Sequence, residues 1–155
     1  MAEVSTGFEP ADAGYAERVR SSFAKQGIMS HMGATLPVVL PGYTEIHLPF
    51  KPELSQQHGF FHGGAIGAIA DSAAGYAGYS LMPADAGVLT VEYKINIVAP
   101  GDGELMIAKG LVIKPGRTVS ITEAKVYVYK HGKEKLCAVM LQTLAVRRGL
   151  PEFLG

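Results

Sequence analysis

The sequence predicts an α+β fold in which one antiparallel β-sheet wraps around a long central α-helix, with an additional helix at the N-terminus. Three observations predict it. Residues 63–82, GGAIGAIADSAAGYAGYSLM, are small and apolar with a single charge. Helix and strand are both conceivable for such a run, and its length favours a helix. After it come four stretches of alternating polar and apolar residues separated by short turns, the pattern of antiparallel strands. Ahead of it, Tyr15, Val19 and Phe23 recur every fourth residue, one stripe of an amphipathic helix.

Taken in order, residues 1–11 read as a flexible N-terminus. A helix is then expected from Asp12 as N-cap to Gly27 as its stop. Pro37, Pro41 and Pro49 bracket short extended pieces, and Tyr43–Phe50 reads as a strand with Thr44, Ile46, Leu48 and Phe50 on one side. In the central helix Gly63, Gly64, Gly67, Gly75 and Gly78 each cost about 1 kcal/mol relative to alanine where they are interior. Tertiary packing must therefore hold this helix, and its small residues permit very close approach by a neighbour. Val88–Val98 follows, with Thr90, Glu92, Lys94 and Asn96 opposed to Val91, Tyr93, Ile95 and Ile97. Turns at Pro100–Gly103, Lys114–Arg117 and His131-Gly132 separate the strands Glu104–Ile113, Thr118–Lys130 and Leu136–Val146. Short turns between long strands imply an antiparallel meander. One domain is expected over residues 12–148, with 149–155 as a C-terminal tail.

Composition narrows the function. The 155 residues carry 14 Lys+Arg and 14 Asp+Glu. A net charge of zero argues against a nucleic-acid partner, whose footprint is a basic excess. The single cysteine, Cys137, excludes an intramolecular disulfide and any multi-cysteine zinc site. With no apolar leader in residues 1–30, it points to the cytoplasm. His31, His47, His58, His62 and His131 have no metal-binding spacing, so no metal is expected. Residues 54–84 contain Gln56, Gln57, His58, His62 and Asp71, which argues against a membrane span. No nucleophile-elbow or phosphate-loop motif is present.

Asp71 is the residue out of place, the only formally charged side chain between Glu53 and Asp85. A carboxylate in such a helix must be paired, solvated in a cleft, or protonated. It is either a functional acid or an aspartate on a solvent-facing edge bonded to its neighbours. Phe61-His62-Gly63-Gly64 stands directly before the helix. Glycines there let the backbone approach a ligand, and the first N–H groups of a helix carry partial positive charge suited to an oxyanion. The plain alternative is a glycine turn that starts a helix. At about 1.5 Å per residue, Asp71 lies roughly 12 Å along the helix from Gly63. That is too far for both to touch one reacting carbon. Two antiparallel copies about a two-fold axis bring Asp71 of one to the glycines of the other.

The stretch Gln56-Gln57-His58-Gly59-Phe60-Phe61-His62-Gly63-Gly64 followed by Ile69-Ala70-Asp71 resembles the hotdog-fold acyl-CoA thioesterases. It is most similar to the branch typified by the phenylacetate-pathway thioesterase, PaaI. The likeness extends over residues 40–147. In that family a sheet wraps a long helix and the active sites lie between protomers. The resemblance implies hydrolysis of an aryl- or medium-chain acyl-CoA to free acid and CoA by a homodimer or homotetramer, with no cofactor. Asp71 would be the general base or nucleophile, and Gly63 would give its N–H to the thioester oxygen. His62 and Gln56 would support the loop and orient the thioester, and Thr90 would hold the water or the carboxylate. Many members carry Asn where this chain has Gln56, which is longer by one methylene. Gly64 and Phe61 would contact the substrate, and Phe60 or Phe61, Tyr76 and Tyr79 would line the acyl pocket or be ordinary core. Lys114 and Arg117 would meet the CoA phosphates, ahead of Lys94, Lys130, Lys133 and Lys135. Two other classes stay open: a hotdog protein that binds acyl-CoA without hydrolysing it, and a hotdog hydratase or dehydratase.

Overall fold

The computed structural model describes residues 4–150. The expected N-terminal helix is present and shorter, α1 (Tyr15–Ala24), followed by α2 (Gly27–Met32). Val19 is fully buried, with Tyr15 and Phe23 packed beside it against the core. Gly14, not Asp12, is the N-cap. The Asp12 carboxylate instead accepts from Gly14 N–H (3.0 Å) and from Arg18 Nε (3.1 Å), so it braces the turn from outside. Gly27 does not stop the helix. It opens α2, which ends at Gly33 with φ +81°, a conformation that glycine adopts without a Cβ penalty. Thr6 in the segment ahead donates to Pro41 O (2.5 Å), and Phe8 lies against Gly42. Residues 1–3 of the expected flexible start, and 151–155 of the expected tail, lie outside the described residues.

Six strands follow: β1 (Thr35–Leu40), β2 (Tyr43–Pro49), β3 (Ala86–Ile97), β4 (Leu105–Lys114), β5 (Val119–Lys130) and β6 (Lys133–Arg148). The sheet is wholly antiparallel, in the order β1-β2-β4-β5-β6-β3. The sequence offers here only a short extended piece bracketed by Pro37 and Pro41, and the structure makes it a strand that includes Pro37. Proline lacks an N–H and is tolerated on an edge strand, and β1 is an edge with a register shift between Thr35 and Val38. Only β4-β5-β6 forms the expected meander. β3 pairs with β6, not with its sequence neighbour β4.

The 17-residue helix α3 (Gly63–Tyr79) lies across the concave face, with Ile66, Ile69, Ala70, Ala73, Ala74 and Ala77 buried. Its small residues bring backbone against backbone. A Cβ on Gly110 of β4 would stand 2.3 Å from Ala73 C and O, and one on Gly78 would stand 2.4 Å from Leu144 Cδ1. Thr44 Oγ1 spends its proton on Ala73 O (2.7 Å), so even a polar residue of β2 is absorbed by the packing. Tyr43, on the same strand, hydrogen-bonds Glu45. Burial, aided by that bond and charge, pushes its hydroxyl well above the ordinary phenol range.

One departure decides the site. The β3–β6 register slips between Thr90 and Glu92, leaving Val91 as a bulge. The simple alternation placed Thr90 and Tyr93 on opposite faces. The bulge puts them on the same face, because Thr90 pairs with the buried Leu144 and Tyr93 with the buried Gln142.

Candidate active site

Asp71 sits half-way along α3, partly buried. Its Oδ1 accepts from Thr90 Oγ1 (2.7 Å) and from Gln142 Nε2 (2.5 Å). Gln142 Oε1 in turn accepts from Thr122 Oγ1 (2.8 Å). Gln142 and Thr122 are 0% exposed. The second oxygen, Oδ2, has no hydrogen-bond partner among the described residues. Asp71 lines a cleft of about 140 Å³ with Thr90, Ser22, Gln26, Ser72 and Tyr76. Ser72 Oγ donates to Gln26 Oε1 (3.0 Å), and Ser22 Oγ lies 3.2 Å from Tyr76 Oη. The N-terminal helical segment thereby forms one wall of the cleft.

Thr90 was expected beside Asp71. Gln142, Thr122, Ser22 and Gln26 were not. The sequence does carry a signal for Gln142: it interrupts the inward set Ala138, Met140, Leu144 on β6. Ser22 and Gln26 offer no comparable signal, since polar residues are ordinary on a surface helix.

At the other end of α3, His62 is the N-cap, with φ −64° and ψ 141°. Its Nδ1 accepts from Gly64 N–H (2.7 Å). Gly64 is thus committed to the cap, while Gly63 N–H has no partner among the described residues. The preceding loop is pinned by its backbone: Gln56 N–H to Phe60 O (2.9 Å), Gly59 N–H to Gln56 O (3.0 Å) and His62 N–H to Leu54 O (2.8 Å). Gln56 Oε1 accepts from His58 N–H, so its side chain also supports the loop. Phe61 is 2% exposed and packs edge-on against Phe50, with ring centroids 5.1 Å apart. Within one chain it is core. Tyr76 and Tyr79 are also buried, and Tyr76 touches the cleft.

Lys114 and Arg117 are exposed at the β4–β5 turn, and Arg117 lines a groove of about 260 Å³ with Gly78, Ser120 and Arg148. Gly78 is fifteen residues from Gly63, roughly 22 Å along the helix. One chain therefore does not bring these cations to the glycine end. Lys130, Lys133 and Lys135 line a separate groove near Phe60, where Lys130 pairs with Asp102 (2.8 Å). Lys94 Nζ donates to Asn96 Oδ1 (2.8 Å). Cys137 is buried and donates to Ala99 O (3.3 Å), and burial raises its thiol against the smaller opposing pull of Lys135. Among the described residues no three His, Cys, Asp or Glu side chains group so as to hold a metal ion, and no helix is long and apolar enough to cross a membrane.

A six-stranded antiparallel sheet wrapped on a long small-residue helix is the architecture of the hotdog fold. Comparison with known proteins agrees. Residues 58–135, half of the chain, match the Thioesterase superfamily, and the chain belongs to that superfamily as a thioester hydrolase. A thioesterase family protein from Silicibacter pomeroyi is 44% identical, with a TM-score of 0.87 over 88% of this chain and 100% of that one. A Halobacterium salinarum protein, itself named only as an inferred esterase, is 29% identical over 126 residues, 78% of this chain and 82% of that protein. The E. coli PaaI protein of the phenylacetic acid degradation operon is 15% identical, with a TM-score of 0.76 over 90% of this chain and 96% of that one. That last likeness is one of fold.

Proposed function

We propose that the chain hydrolyses an aryl- or medium-chain acyl-CoA to free acid and CoA, at sites shared between two copies joined edge to edge along β3. The way β3 tracks α3 carries this reading. Thr90 touches Asp71, Tyr93 faces Gly67, and Ile97 faces Gly63. An antiparallel pairing of two β3 edges about an axis near Tyr93 sets Thr90 of one copy opposite Ile97 of the other. Asp71 of one copy then meets Gly63 of the second. The same pairing covers Val91, Tyr93 and Ile97, all exposed in the single chain. Exposed Leu89, Val119 and Leu141 on the outer sheet face support assembly of two such dimers into a homotetramer.

In the chemistry, water adds to the thioester carbonyl as Asp71 Oδ2 takes its proton, or Oδ2 itself attacks and water releases the acyl group afterwards. The developing oxyanion accepts from Gly63 N–H of the second copy, aided by the helix end. Collapse expels the CoA thiolate, which takes up a proton. Thr90 steadies Oδ1, while His62 and Gln56 hold the loop that aims Gly63. Gly78 lies seven residues past Asp71, roughly 10 Å along the helix. The groove of Arg117, with Lys114 beside it, is thus within reach of the CoA phosphates.

The test is thiol release from benzoyl-, phenylacetyl- and hexanoyl-CoA by two variants, alone and as mixed dimers. Asp71→Asn removes the base. Gly63→Pro removes the N–H at a first helical position, where proline is tolerated, and His62 already has the extended ψ that a following proline needs. Each alone is expected to lose at least about 100-fold in kcat. Co-expressed, they should regain about a quarter of wild-type activity, because half of the dimers carry one intact site. Absence of recovery sinks the shared site. Acyl-CoA binding without turnover by the wild type makes the chain a binder.

A further inference from the structure

Gln142 and Thr122 are polar side chains at fully buried, inward-facing positions of the sheet, where apolar residues would pack at less cost. They pair with each other across β5 and β6 and lead to Asp71 and its partner Thr90, with the shortest contact to the Asp71 carboxylate. We propose that Gln142, oriented by Thr122, is a positioning residue of the reaction that fixes which oxygen of Asp71 reacts; this rests on the role given to Asp71 above.

The orientation is determined at both ends. A carboxylate only accepts hydrogen bonds, so the amide must present Nε2 to Oδ1. The Thr122 hydroxyl donates to Oε1 on the other side. A flipped amide would set an oxygen against Oδ1 and leave the Thr122 proton without its acceptor. Gln142 Nε2 also lies 3.3 Å from Asp71 O and 3.4 Å from Thr90 Oγ1, so one amide touches the backbone, the carboxylate and the second donor. Oδ1 receives two donors and is committed. Oδ2 is left as the atom for water or the acyl carbon.

The experiment uses the full chain and the same three thioesters, with kcat and KM followed between about pH 5 and 9. Hydrogen bonds to charged groups set the expected loss for Gln142→Leu at about 10- to 100-fold in kcat, with KM within about twofold. Thr122→Val shows a smaller loss of the same kind, and Thr122→Ser, which keeps the hydroxyl, restores the wild-type profile. Gln142→Glu gives the sharpest signature. Protonated, the introduced acid donates to Asp71 as the amide does, so activity persists on the acid side. Ionised, it sets like charges side by side, and activity falls as pH rises.

A wild-type kcat and profile in Gln142→Leu, beside an inactive Asp71→Asn, overturns the proposal and leaves the Asp71 reading standing. Full activity in Asp71→Asn overturns both. If Gln142→Leu does not fold, the Thr122→Val and Thr122→Ser pair and the profile of Gln142→Glu decide the matter: equal profiles in all three and the wild type reject the role.

Discussion

β5 and β3 are both twelve-residue strands with alternating sequences, yet they end up in opposite situations. β5 lies between β4 and β6, and its inward residues Ser120, Thr122, Ala124, Val126 and Val128 are all buried under α3. β3 has β6 on one side and, among the described residues, no strand on the other. Its Leu89, Val91, Tyr93 and Ile97 are exposed, and its alternation is broken by the Val91 bulge. The apolar residues of β5 are used up in holding one chain together. Those of β3 are left over, beside the carboxylate of the proposed site. A long apolar edge strand is a template for pairing with another chain, and here the pairing also assembles the proposed site. The comparison separates what folds the monomer from what makes it work.

The largest effect should come from a charge on the open edge. Val91→Lys is expected to abolish dimers by light scattering and to lower thiol release more than about 100-fold, while Lys125→Ala on exposed β5 changes neither. An active monomer would refute the contrast. A stability effect should mark the sheet centre instead. In Gly110→Ala the added methyl meets the Ala73 backbone, costing about 3 kcal/mol and lowering the Tm by roughly 6–12 °C. An unchanged melting curve would mean that helix and sheet are less tightly joined than described.

A smaller effect is expected at Tyr43. Its proton is held tightly in the fold by burial and Glu45, whereas the unfolded chain ionises near its ordinary value of 10.0. The stabilisation is complete below that value and is lost as pH rises above it. Tyr43→Phe should cost about 1 kcal/mol at neutral pH and show a shallower fall in urea midpoint between about pH 10 and 12. Equal slopes would remove Tyr43 from the alkaline response. Least of all, Cys137 between β5 and β3 should not react with a thiol reagent until the protein unfolds, because burial disfavours its thiolate. Rapid labelling of the native protein would contradict that.

Most of the architecture was legible because it rests on local periodicity: the Val19 stripe, the α3 segment, and the inward set of β5. Three things were not. Pro37 hid the extent of β1, since its tolerance depends on β1 being an edge, which is a property of the sheet and not of the segment. The pairing of β3 with β6 is non-local, and sequence proximity favoured β4. The Val91 bulge cannot be read from alternation, which it exists to break. At the site, Asp71 and the glycines before the helix were visible as residue types in unusual places, while Thr90 was legible only through the family resemblance. Gln142 was visible only as a polar intruder in β6, with no local hint that it would reach a residue 71 positions earlier. Phe61 could be read as a substrate contact or as core, and it is buried within the single chain; an aromatic beside a glycine turn has the same signature in either role.

The bulge has a consequence for how this gene tolerates change. Thr90 and Ile97 are seven residues apart, an odd interval that an unbroken strand would split between its two faces. The additional residue at position 91 restores their agreement. Deleting that one codon would shorten the interval to six, an even count, so a regular strand would still turn both residues toward α3, whereas one inserted residue would need a second bulge to keep the register. The bulge is thus a spare residue: β3 can lose one position there and keep its inward residues in phase, but it cannot gain one without a new irregularity.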